Sequence, residues 1–281
     1  MATGTSETAY GLTGPAYPGH PIFAAGRPFD AEALRRELAA GVDPDAVLLH
    51  DAVLLDRLTC PPFSGARIRE RLECIAVLLE AGASVDKLVY PGADCGGMRA
   101  RGTLLWHAVG NRHAPPEYHA VIVALLEAGA DPNFDPSRPG VDIYSVLANA
   151  AACGRAATVN TLISAGAVDL DRALEAAIIF YEQQRAEAAI ILHEQRAGGL
   201  RICTLLLRAG AALPAARTGY ATDARSNARA YVERIRAAGG FKAYETAHRQ
   251  RLVAIYAPKF PHLPTDMLGR VLEYSYNVGG Y

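Results

Sequence analysis

The sequence of 281 residues predicts an all-α fold in which short helices stack in pairs. Three observations carry that expectation. A leucine-rich stretch running into Ala-Gly and then Asp or Asn keeps returning, as LAAGVDPDA at 38–46, LLEAGASVD at 78–86, LLEAGADPN at 125–133, LISAGAVD at 162–169 and LLRAGAAL at 206–213. A second phrase rich in small residues stands ahead of most copies. Alanine is abundant, 53 residues beside 26 glycines, which suits closely stacked helices better than a core of bulky side chains.

The leucine-rich phrase reads as a helix and its stop. Leucines on one face end at Gly41, Gly82, Gly129, Gly166 and Gly210, with a weaker copy, IRAAGG, at Gly239. Glycine enters the left-handed conformation after a helix at little cost, and the Asp, Pro and Asn that follow favour a reversing turn. The intervals of 41, 47, 37, 44 and 29 residues are uneven, so each unit carries its own insertions. The second phrase reads Leu49-His50-Asp51-Ala52, then Thr103-Leu104-Leu105-Trp106-His107-Ala108, then Ser145 to Ala151. His20 to Ala25 is a clipped copy and Ala173 to Ala177 a fifth.

Together the two phrases resemble the ankyrin repeat, whose first helix carries T-P-L-H-x-A-A-x-x-G and whose second ends in L-L-x-x-G-A-x-x-N. The match is best over Thr103 to Asn133 and Ser145 to Asp169, and it spans about residues 20–213. The first-helix proline survives only as Pro21 and the histidine only as His50, with Trp106 and Ala148 in the corresponding later positions. Tetratricopeptide and HEAT arrays fit less well because neither explains the Ala-Gly-Ala turn. The resemblance implies an all-α ankyrin-repeat solenoid with long inter-repeat loops and a C-terminal helical cap. It divides the chain into a flexible tail (1–19), the repeat domain (20–213) and a degenerate repeat plus helical extension (214–281).

Insertions account for most of the uneven period. Residues 59–65 and 111–116 lengthen the turn inside a unit, and 87–102 and 134–142 lengthen the loop between units. Residues 171–196 hold no Gly or Pro and predict one long helix, broken by Gly198-Gly199 before a second helix over 200–208. The C-terminal segment changes character: seven of the 13 tyrosines lie from Tyr220 onward. Helices are expected over 223–238 and 241–256, then a stiff polyproline II spacer from Pro258 to Pro264, then an amphipathic last helix.

Function is narrowed first by exclusion. With 28 basic and 29 acidic side chains the net charge is −1, which disfavours a protein that must neutralise phosphates. No apolar run approaches a membrane span, and Met1 to Phe29 has neither signal-peptide nor transit-peptide layout. Five scattered cysteines without CxxC spacing suit reduced thiols in the cytoplasm or nucleus. Nucleophile elbow, Walker loop, HExxH and paired carboxylates are all missing, so no catalytic residue, metal or cofactor is expected. His107, His113 and His119 recur every six residues, a spacing that does not bring ligands together on a helix. Cys95 has no adjoining cationic cluster to activate it.

The remaining candidates are surfaces. Tyr90, Met98, Arg99 and Arg101 share one long loop, and Phe134, Arg138 and Tyr144 lie in or beside the next. Aromatics, Met and Arg are enriched at interface hot spots, so these seven are partner-binding candidates, against the plainer outcome that Phe134 and Tyr90 fold back onto the stack. Trp106, the single tryptophan, either anchors a partner on the concave face or is buried between units. Leu263-Pro264-Thr265-Asp266-Met267-Leu268 with Val271-Leu272 resembles the opening of an F-box, which implies recruitment of a cullin ubiquitin ligase; the plainer expectation is a cap on the last repeat. Residues 247–256 lack the cysteine of a suppressor-of-cytokine-signalling box. Leu125 to Asn133 also resembles the context of asparagine hydroxylation, with Pro132 in place of the usual aliphatic residue. The expected function is a monomeric, non-enzymatic adaptor or scaffold for protein partners, with no nucleic-acid or membrane partner; the alternative is a ubiquitin-ligase substrate receptor.

Overall fold

The computed structural model describes residues 31–44, 65–86, 88, 102–110, 116–134, 144–187, 193–214 and 227–275. Among them the regular structure is helical and no strand is formed. In chain order the helices are α1 (Ala31–Ala39), α2 (Gly65–Glu80), α3 (Leu104–Gly110), α4 (His119–Glu127), α5 (Val146–Ala152), α6 (Ala156–Ser164), α7 (Leu170–Glu187), α8 (His193–Ala209), α9 (Asn227–Ala237), α10 (Phe241–Tyr256) and α11 (Thr265–Ser275). No helix among the described residues is long and apolar enough to cross a membrane.

The glycine phrase dictates how α1, α2, α4, α6 and α8 stop. At the end of α4, Gly129 takes φ +91°, its N–H bonds to the Leu126 carbonyl (3.0 Å), and the next N–H, of Ala130, reaches back to Leu125 (3.0 Å). The end of α6 repeats it: Gly166 at φ +90°, with Ala167 bonded to Leu162. This pair of bonds satisfies carbonyls that the helix leaves open, and it needs a residue without a Cβ penalty. The residue four before each glycine is fully buried at Leu78, Leu125, Leu162, Leu206 and Ile235. Each such side chain contributes about 1.5–3 kcal/mol by leaving water.

Packing follows an alternating order. Neighbours in sequence pair as α3 with α4, α5 with α6, α7 with α8 and α9 with α10. Across pairs, α3 packs on α5, α5 on α7 and α7 on α9, while α2 packs on α4, α4 on α6, α6 on α8 and α8 on α10. One continuous apolar cluster runs from Leu34 in α1 to Ile235 in α9, with Phe241 and Tyr244 of α10 against it. The alanines of α5 explain its position in the middle: every residue from Val146 to Ala152 is buried, and only small side chains let three helices approach that closely.

Three sequence expectations are corrected. The span 171–196 is not one straight helix: α7 (Leu170–Glu187) and α8 (His193–Ala209) pack against each other, which two stretches of one straight helix cannot do. Gly198-Gly199 does not break α8, which runs through both glycines; the downstream anchors Ile202, Cys203 and Leu206 are buried and hold the axis in line. The segment from Pro258 to Pro264 is not an extended polyproline spacer. It opens as a 3-10 turn, Ala257–Lys259, and closes with Phe260 N–H bonded to Tyr256 and Leu263 N–H bonded to Phe260, whereas polyproline II has no internal hydrogen bonds. The tail 1–19 and the early phrases at 20–25 and 49–52 lie outside the described residues.

Candidate docking surfaces

Adjacent turns are joined by side chains in or just past the repeated phrase. Asp86, four residues past Gly82, accepts the N–H of Asp131 (3.0 Å). Asn133, four past Gly129, accepts the N–H of Val168 (3.0 Å) and donates to the Gly166 carbonyl (3.1 Å). Asp171, five past Gly166, accepts the N–H of Ala212 (2.7 Å). The closing residues of two phrases, Asp86 and Asn133, and Asp171 just past a third thus bond to the following turn. Asn133, the residue in the hydroxylation-like context, has its amide oxygen and nitrogen in this clasp.

Trp106, Phe134 and Tyr144 meet at one junction. Thr103 opens α3 by accepting the Trp106 N–H (3.3 Å), and the indole N–H donates to the Tyr144 carbonyl at 2.7 Å. Gly102 makes room for the indole, because a Cβ there would lie 2.5 Å from its Cε3. His107 meets the ring edge-on at 4.9 Å. One residue past Tyr144, the Ser145 hydroxyl accepts the Ala148 N–H and donates to Asp169 (2.5 Å), and the Val146 N–H bonds to the Phe134 carbonyl (3.4 Å). Trp106 is 1% exposed, so its ring has no face for a partner. The indole is buried in the apolar cluster and bonded to the Tyr144 carbonyl. Phe134 and Tyr144 are half-buried against the same cluster. Tyr90, Met98, Arg99, Arg101 and Arg138 lie outside the described residues.

The interior next to this junction is polar where it must be. Asn149, buried in α5, donates to the Trp106 carbonyl (3.3 Å), and Gly110 lies so close that a Cβ would sit 2.5 Å from its Nδ2. Cys153 donates weakly to the Gly110 carbonyl (3.6 Å). Nearby, burial lowers the Arg155 pKa, with the charges of Cys153 and Tyr118 opposing that shift. The His119 ring lies between Thr158 and Thr161, 3.3 Å from each hydroxyl. Burial pushes the Cys203 thiol up to about 12, which makes it a structural rather than reactive thiol. Among the described residues no three His, Cys, Asp or Glu side chains converge as metal ligands would. Sequence reasoning missed Gly102, Gly110 and Asn149; their only advance signal is a small or amide residue beside the repeated phrase.

The last three helices divide the roles expected of one cap. Tyr231 and Ile235 of α9 enter the apolar cluster, Tyr231 bonds to Thr204 (3.1 Å), and Tyr244 of α10 meets Tyr231 edge-on at 5.7 Å. Arg208 grips Glu245 through Nε (2.9 Å) and Nη2 (2.6 Å), which ties α8 to α10. The stack is thus covered by α9 and α10, not by the last helix, because the large aromatic side chains lie upstream. Helix α11 folds back on α10, with Gly269 beside Val253. Of the F-box-like residues, Leu268 and Leu272 are buried and Leu263 half-buried, whereas Pro264, Met267 and Val271 are exposed. No family model matches the chain, and no curated protein matches it either.

Proposed function

We propose that the chain is an ankyrin-type solenoid acting as a non-enzymatic protein-binding adaptor in the cytoplasm or nucleus. The observation that carries this reading is the alternating helix order combined with the recurrent turn and clasp. The same glycine closure and the same buried leucine four residues before it recur along one continuous cluster, and at three turns an Asp or Asn four or five residues past the glycine bonds to the following turn. In such an array each unit borrows its neighbours' apolar face for a core, which leaves loop tips and one face of the stack for a partner. Fold alone does not fix function, so the reading rests on this division between spent and unspent surface.

The test is affinity capture with the full chain and with an Arg99→Glu/Arg101→Glu/Arg138→Glu variant. A partner held by the loop tips is recovered with the natural chain and lost with the variant. Recovery unchanged by charge reversal places the binding face elsewhere; no specific partner for the natural chain sinks the adaptor reading. A substrate receptor for a ubiquitin ligase stands second. Met267 and Val271 favour it by their exposure, while Leu268 and Leu272, also part of the F-box-like motif, are spent on α10.

A further inference from the structure

Between Glu245, held by Arg208, and Glu273 the chain carries four basic side chains, Arg249, Arg251, Lys259 and Arg270, against one acid, Asp266. That segment is +3 in a chain whose total is −1, so the remainder is −4. Arg251, Lys259 and Arg270 are exposed. The same segment holds four of the five exposed large apolar side chains among the described residues: Ile255, Phe260, Met267 and Val271. Met267 and Val271, each 52% exposed, stand one turn apart on α11, beside the strip formed by Leu268 and Leu272 that rests on α10.

We infer that the outer side of the α10–α11 hairpin is a docking surface for an acidic amphipathic helix of a partner protein. The inference rests on the adaptor reading and adds the place and chemistry of one contact. Two apolar side chains at i and i+4 present the spacing that a helix laid alongside can match, and methionine adapts its shape to the occupant. The segment's excess of cations favours an acidic polar face and opposes self-association, since a second copy would bring the same positive segment against itself. An apolar strip on a cationic segment thus binds through burial and gains its selectivity from charge.

The test measures binding of the full chain to a labelled 18-residue helical peptide with leucine on one face and glutamate on the other. Its lysine-for-glutamate counterpart, an order-scrambled acidic peptide and vesicles of phosphatidylcholine with 30% phosphatidylserine serve as comparisons. The inference expects saturable binding of the acidic amphipathic peptide alone, weakened by added salt. Met267→Glu/Val271→Glu and, separately, Arg251→Glu/Arg270→Glu lower that affinity by about tenfold or more. Val168→Glu, at an exposed apolar residue outside the segment, leaves it unchanged. Melting curves confirm that each variant folds. Equal binding of the lysine or scrambled peptide, insensitivity to both double variants, binding only to the anionic vesicles, a dimer that excludes the peptide, or no binding overturns the inference. Any of these leaves capture through the loop arginines untouched, so the two readings fail separately.

Discussion

At the scale of single residues, similar glycines do different jobs. Gly129 has φ +91° with open space where a Cβ would go, whereas Gly154 combines φ +73° with the Phe180 ring 2.5 Å from that point. Gly129→Ala should therefore cost about 1 kcal/mol, the left-handed penalty alone. Gly154→Ala should cost roughly 3 kcal/mol, because Phe180 is buried and cannot yield without disturbing its neighbours. Urea unfolding of the two variants checks the order; equal losses would contradict it. Alkali supplies a second test. Burial raises the Tyr231 hydroxyl from 10 to about 12, with its Thr204 bond opposing, and raises Cys203 to about 12 as well. The unfolded chain then releases these protons first, so stability is intact below pH 9 and falls as pH rises toward 12. Tyr231→Phe should flatten the part of that fall above pH 10 and leave the contribution of Cys203. An identical pH profile would show that Tyr231 is not the group resisting ionisation. The closing glycines were legible because a left-handed turn demands one residue type. Gly102 and Gly110 were not, because their need arises from Trp106 and Asn149, whose positions depend on the finished packing.

At the scale of elements, the phrase that ends a helix also bonds to the turn that follows the next helix pair. Asn133 makes two bonds to the turn after α6, both in exposed surroundings, so each is worth less than a buried one. Asn133→Ala should lower stability by about 1 kcal/mol, read as a fall of about 2–4 °C in Tm, with amide protection falling first around Gly166 and Val168. Unchanged exchange at Val168 would contradict the clasp. Helices α3, α5 and α10 were readable from small-residue and apolar patterns. The continuity of α8 was not: two adjacent glycines normally signal a stop, and buried residues downstream outweighed that propensity. The turn before α11 departs from local preference for a related reason. Prolines spaced three apart favour an extended segment locally, but Leu268 and Leu272 bury themselves only if the chain turns back.

At the scale of the whole molecule, the abundance of alanine and glycine becomes an architecture: glycines close helices, and alanines let α3, α5 and α7 lie close together. The sequence also implied that something must cover the open end, and it pointed to the last helix because that helix carries an amphipathic pattern. Tyrosines decide otherwise, since Tyr231 and Tyr244 seal the stack from α9 and α10 and leave α11 one layer outside, with its apolar and basic side chains available. Which surface remains unspent depends on this arrangement, and periodicity alone carries no information about it. Thermal unfolding of two truncations tests the arrangement most directly. A chain ending at Lys259 should melt cooperatively within about 5 °C of the full chain, whereas one ending at Gly240, which strips Phe241 and Tyr244 from the apolar cluster, should lose far more. Loss of cooperative melting already on removal of residues 260–281 would contradict the account, because α11 would then be the cap.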